Sequence, residues 1–181
     1  NKLVLGDSHC LSVYKPNYSI SRLDGKTLHG FLKLGLNNFI DDNTKELVFY
    51  AGNIDIRFHI HKQGGLSAVK DLSLRLYDQL IKLQNKGIKT TLTHLIPAED
   101  ESRKIPGTGK YKGCNFFGSK EERNGYVIYF NSLLDRIAKK LNLDIITWDF
   151  DYQDGLDFSH MEAKQSVHIR PESYKYINEL Q

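Results

Sequence analysis

A chain of 181 residues is long enough to bury one continuous core and too short to house a second one comfortably, so 1–181 is read as a single domain. Its net charge of +3, from 25 Lys and Arg against 22 Asp and Glu, is scattered along the chain and speaks against a nucleic-acid or anionic-membrane partner. No run of about eighteen apolar residues could span a bilayer, and "LVL" at 3–5 is too short for the apolar region of a signal peptide. Cys10 and Cys114 stand outside any CxxC or Cys/His cluster and read as free thiols, so a cytoplasmic location is expected, with no cofactor and no metal.

In chain order, "KLVL" at 2–5 predicts a first strand that stops at "GDSH". "ELVFYA" at 46–51 predicts another, followed by "GNIDIRFHIH". If that stretch continues extended, Asn53, Asp55, Arg57, His59 and His61 share one face, and Ile54, Ile56, Phe58 and Ile60 share the other. Over 66–86 the spacing of Val69, Leu72, Leu76, Leu80 and Leu83 predicts a helix with one apolar stripe, and Gly87 stands where it should stop. "KTTLTHLI" at 89–96 is a third strand.

Residues 97–125, with Pro97, Pro106 and five glycines among many charges, predict a long loop, either a lid or a surface excursion. Phe130, Leu133, Leu134, Ile137 and Leu141 then mark a second helix over 124–142, and "DIITWDF" at 144–150 a last strand. Strands alternating with helices predict an α/β fold, a three-layer α/β/α sandwich on a mainly parallel, flavodoxin-like sheet.

In such sheets ligands collect at the carboxyl ends of the strands. Ser8 leaves the first strand there, and the tripeptide "GDS" alone permits two readings, a helix-capping hydroxyl or a nucleophile that needs a histidine base. His168, in "QSVHIRPESYKYINEL" near the other end of the chain, is a candidate for that base.

Together, "GDSH", "AGNID" and the His168-Ile169-Arg170-Pro171 run with Tyr174 resemble, in order, the blocks of the SGNH or GDSL-type hydrolase superfamily. The resemblance implies a Ser8 nucleophile, a His168 base, and an oxyanion donor at Gly30, with Gly35 in reserve. It also implies an acid three residues before the histidine, where this chain has Gln165, which can orient an imidazole but cannot stabilise its charge. Asp157 and His160 in "DFSH" keep the D-x-x-H spacing and form the alternative acid–base pair. The family block G-x-N-D aligns with Gly52 and Asp55, which puts Ile54 at the position of the oxyanion-hole asparagine. Asn53, Arg57 or His59 is then expected to supply the donor or to bind substrate, beside Asp55.

The expected function is ester hydrolysis, on an O-acylated carbohydrate or small ester. Two alternatives stay open. One is a non-catalytic binding module that has lost part of this machinery; the other is a metal-assisted hydrolase around Asp55, His59 and His61, for which no local cluster supplies further ligands. Oligomeric state is not legible.

Overall fold

The computed structural model describes residues 1–100, 105–163 and 166–179. Strands β1 (Lys2–Gly6), β2 (Ser19–Arg22), β3 (Glu46–Tyr50), β4 (Lys89–Thr93) and β5 (Asp144–Ile146) form one sheet in the order β2-β1-β3-β4-β5. All four pairings are parallel. This is the flavodoxin-like order of the expected α/β/α sandwich. β2 was not foreseen: its residues "SISR" are mostly exposed, and a polar edge strand has no apolar run to announce it.

The strand order dictates the layers. The connections β2 to β3, β3 to β4 and β4 to β5 all step the same way across the sheet, and right-handed crossovers put them on one face. Helices α1 (Leu28–Leu34), α3 (Leu66–Asn85) and α4 (Lys120–Leu141) lie in those connections, with α1 against α3 and α3 against α4. The step from β1 to β2 runs the other way and carries the 3-10 turn Ser8–Val13 to the opposite face. There the C-terminal segment joins it, through the bond from Lys175 N to Ser12 O at 2.9 Å.

Both helical stripes face the core as expected. Val69, Leu72, Leu76, Leu80 and Leu83 are buried, as are Phe130, Leu133, Leu134 and Ile137 of α4. α4 begins four residues before the expected start, because Ser119 and Glu122 make a reciprocal capping box that satisfies orphan N–H groups of the first turn. The loop expected at 97–125 therefore gives its last residues to the helix. β5 stops at Ile146, short of the expected Phe150.

The largest departure is at 53–61. Gly52 takes φ +137, a region that other residues rarely adopt, and turns the chain out of β3 into a short helix, α2 (Asn53–Phe58). The alternating polar and apolar faces expected of an extended segment do not exist there. All six residues of α2 are buried. Among the described residues no helix is long and apolar enough to cross a membrane. Cys10 is buried and Cys114 half-buried, and both are free.

The carboxyl end of β1 packs against that of β3 so tightly that a Cβ on Gly6 would stand 2.0 Å from Tyr50 O and 2.8 Å from Cys10 Cβ. Backbone on the adjoining strand cannot move aside as a flexible side chain would. Gly6→Ala is expected to destabilise the fold by about 3 kcal/mol or to prevent folding, as read from urea unfolding followed by circular dichroism. Unchanged stability would show that the two strand ends have slack.

Candidate active site

Ser8 is the first residue of the 3-10 turn that follows β1, and the cap of that turn is Asp7, whose carboxylate accepts from His9 N at 2.8 Å. The capping duty therefore falls on Asp7. The Ser8 hydroxyl points elsewhere: its Oγ lies 2.7 Å from His168 Nε2, across 160 positions of sequence. The Ser8 N–H stands in the first turn of a helix, where no intrahelical acceptor exists.

His168 is presented by a small antiparallel excursion near the C-terminus. Met161 pairs with Ile169, Glu162 N donates to His168 O at 2.9 Å, and Arg170 N donates to His160 O at 3.0 Å. That pairing sets Glu162 opposite His168, with its Oε1 3.5 Å from His168 Nδ1. Ser166 stabilises the corner, its Oγ accepting from His168 N at 3.1 Å and donating to Glu162 Oε1 at 3.2 Å. Burial pushes the His168 imidazole down to about 3, and the nearby Arg57 charge adds to the effect. An imidazole so held is neutral at ordinary pH, with a lone pair free for the Ser8 proton.

Sequence reasoning missed Glu162. It precedes His168 by six residues rather than three, and only the pairing of the two short segments reveals it. Gln165, the expected occupant of the acid position, lies outside the described residues. Asp157 and His160 do come together, at 3.1 Å, but as the cap of their own exposed 3-10 turn, with Asp157 also bonded to Ser159. Neither bonds to Ser8.

Most of the residues expected around the oxyanion serve structure instead. Gly30 N donates to Thr27 Oγ1 at the start of α1, and Gly35 N donates to Phe31 O at its end, so both N–H groups are consumed. The Asn53 amide is buried between Tyr50, whose hydroxyl it accepts from at 2.6 Å, and Ile96 O, to which it donates at 3.1 Å. Asp55 accepts from Leu28 N at 2.7 Å and His29 N at 3.1 Å, bracing the N-terminus of α1, and burial pushes its carboxyl up to about 6. His59 bonds to Tyr111, while His61 faces Tyr126 and Glu122. The two rings thus have different surroundings, and among the described residues no group of three or more candidate ligands gathers around them.

Arg57 is different. It is 3 % exposed and sits in a chain of buried charge: its Nε donates to Glu99 Oε1 at 2.8 Å, and its Nη2 lies 2.7 Å from His9 Nε2. Since a guanidinium only donates, His9 Nε2 must accept, which leaves the ring proton on Nδ1, 2.8 Å from Asp7 Oδ1. Arg123 closes the far end with a bond to Glu99 O at 2.7 Å.

These elements surround a cleft of about 390 Å³ lined by Ser8, His168, Arg57 and Ile54, among others. Its outer wall is Pro106–Tyr111 of the loop before α4. The loop is tied to α2 by Phe117 N donating to Arg57 O at 2.9 Å, and by the Tyr111 ring stacked 4.3 Å from that of Phe58. Ile54 thus lies in the wall of the serine's cleft, where the resemblance implies an amide.

No protein-family model matches the chain, and no curated protein sequence matches it significantly. Solved structures do match over nearly all of it. The acetyl xylan esterase AlAXEase is 15% identical, with a TM-score of 0.60, over 99% of this chain and 98% of its own. A GDSL-like lipase from Bacteroides thetaiotaomicron VPI-5482 is 16% identical, with a TM-score of 0.65, over 98% and 83%. The psychrotrophic esterase EstA from Pseudoalteromonas sp., in a structure inhibited by monoethylphosphonate, is 17% identical, with a TM-score of 0.56, over 98% and 92%. From its first strand to its C-terminal turns, the chain has the fold of the SGNH/GDSL-type hydrolases, in a divergent form.

Proposed function

We propose that the protein is a serine ester hydrolase in which Ser8 is the nucleophile, His168 the general base and Glu162 the group that orients His168. The observation that carries this reading is the 2.7 Å contact of Ser8 Oγ with His168 Nε2, inside a cleft and with a carboxylate behind the ring. Ser8 Oγ bonds to the acyl carbon as His168 Nε2 takes its proton, and the carbonyl π electrons move onto oxygen. Collapse of that intermediate breaks the bond to the leaving alcohol, which receives the proton from His168. Water, deprotonated by the same imidazole, then releases the acyl group. The Ser8 N–H is one donor to the oxyanion.

A cleft of this size, walled by Lys110, Thr108 and Tyr111 beside Ile54 and Phe58, suits a small acyl group on a polar alcohol. An O-acetylated carbohydrate is the first substrate to screen, and an acetyl xylan esterase among the structural neighbours favours it. The reading as a binding module that has lost catalysis draws on Ile54, an apolar residue in the wall of the serine's cleft.

The test is labelling by a fluorophosphonate probe, read by intact mass. One adduct is expected, and it should vanish in Ser8→Ala. A parent chain that takes no adduct and hydrolyses no activated acetyl ester would overturn the esterase reading in favour of the binding module. Glu162→Gln is expected to slow labelling about tenfold, a smaller loss than for a buried acid because Glu162 is 43% exposed. An unchanged rate would remove Glu162 from the machinery.

Acid should affect activity and stability in different ranges. Because the base is held near 3 in the folded chain, kcat/KM for a neutral ester is expected to stay level down to about pH 5. Stability behaves otherwise. The unfolded histidine takes up its proton near 6.5 and the folded one only near 3, so stability present above pH 6.5 is lost as the pH falls between those values. Melting temperatures of the parent and His168→Gln from pH 7 to 4 should therefore converge toward acid, and parallel curves would contradict the buried neutral ring.

A further inference from the structure

Ester hydrolysis at Ser8 raises a question that the backbone alone does not answer. One N–H from Ser8 is a thin oxyanion hole, and the Ile54 side chain brings no polar atom to the cleft wall. Gly30 and Asn53 are committed to other bonds. Of the other side-chain donors in the cleft wall, Tyr111 bonds to His59, and Thr108 and Lys110 are exposed on the loop.

Arg57 lines the same cleft but is buried and held on two sides, by Glu99 and by His9, which Asp7 fixes in turn. The bonds to those partners use one N–H of Nε and one of Nη2. Among the described residues the remaining donors of the guanidinium have no protein acceptor, and Arg57 lines the cleft together with Ser8. A cation fixed before substrate arrives costs no reorganisation during the reaction, which is what distinguishes an effective oxyanion donor from a mobile surface lysine.

We propose that Arg57 donates a hydrogen bond to the substrate's carbonyl oxygen, taking the part that the apolar Ile54 cannot play. The assignment rests on the esterase reading. As Ser8 attacks, the electron pair of the carbonyl π bond comes to rest on an oxygen that faces both the Ser8 N–H and the Arg57 guanidinium. The bond strengthens as that charge grows, so its contribution appears in kcat rather than in ground-state binding. Glu99 and the Asp7–His9 pair are positioning residues in this scheme: they hold the guanidinium and do not touch the substrate. The depressed His168 is consistent with it, because the Arg57 charge is felt at the base beside Ser8.

The experiment uses p-nitrophenyl acetate turnover and fluorophosphonate labelling on the parent, Arg57→Gln, Arg57→Lys, Ile54→Asn and the double variant Ile54→Asn/Arg57→Gln, with circular dichroism melts on all. Arg57→Gln is expected to lose about 100-fold in kcat with KM changed less than threefold, the size of loss seen when one oxyanion donor is removed. Arg57→Lys should recover only part of it, since an ammonium cannot hold both partners and still face the cleft. In the double variant, the new amide at position 54 should restore at least tenfold of what Arg57→Gln lost.

Arg57→Gln with kcat within threefold of the parent would overturn the assignment, as would a folded Arg57→Gln whose activity the amide at position 54 does not improve. Should the Arg57 variants fail to fold, Ile54→Asn alone decides. A gain of tenfold or more there would mean that the hole lacks a side-chain donor and would overturn the proposal; a gain below threefold supports it. A parent chain with no Ser8 adduct and no turnover would overturn the esterase reading and the Arg57 assignment together, whereas an active parent with indifferent Arg57 and Ile54 variants would overturn the assignment alone.

Discussion

The buried guanidinium of Arg57 is the constraint around which this end of the molecule is arranged. A charge removed from water must be met by opposite charge and hydrogen bonds, or the fold loses several kcal/mol. Here the partners come from three separate places: His9 and Asp7 from the turn after β1, Glu99 from the segment after β4, and Arg57 itself from α2 after β3. Satisfying one group therefore ties together the carboxyl ends of three adjacent strands. Such a network is weak evidence for stability in itself, since apolar packing can serve as well, but removing one member leaves a buried charge without its partner.

That arrangement is what lets a short 3-10 turn present Ser8 reliably. The β1 and β3 strand ends are in contact through Gly6 and Tyr50 O, and Asp7 N donates to the same oxygen at 3.2 Å. Asp7 then turns its side chain inward to His9, which leaves the intervening Ser8 directed outward to the cleft. His168 meets it from the opposite terminus, carried by a segment with almost no regular secondary structure. A paired corner, Met161 with Ile169 and Glu162 with His168, substitutes for a helix or a strand in holding it.

Several residues that look like site residues in the sequence are consumed by the backbone. Asp55 accepts from first-turn N–H groups of α1 that have no intrahelical acceptor, Gly30 N donates to the cap of that helix, and Asn53 bridges Tyr50 and Ile96 O. The polar groups that the sequence places near the strand ends thus fill structural vacancies first. Arg57 differs from them in lining the cleft with donors beyond those its bonds to Glu99 and His9 use. The loop from Pro106 to Tyr111 then closes the cleft's outer side, anchored where Tyr111 stacks on Phe58.

Periodicity and the order of elements along the chain carry two long helices with one apolar face each, four of the five strands, and hence a parallel α/β sheet. The capping box "SKEE" that starts α4 went unread, because the glycines and charges of 97–125 predict a loop there. The resemblance of "GDSH" and of the run after His168 to hydrolase blocks marked Ser8 and His168, which the fold brings to 2.7 Å of each other. Three things needed the tertiary structure. Alternation at 53–61 reads as a strand, but it gave way to a helix because Gly52 turns the chain and every side of α2 is covered, so local alternation was no guide to exposure. The polar edge strand β2 forms only because β1 offers it a partner. The carboxylate behind His168 is Glu162, not a neighbour at the expected spacing, because distance in space is set by how two short segments pair and not by how many residues separate them.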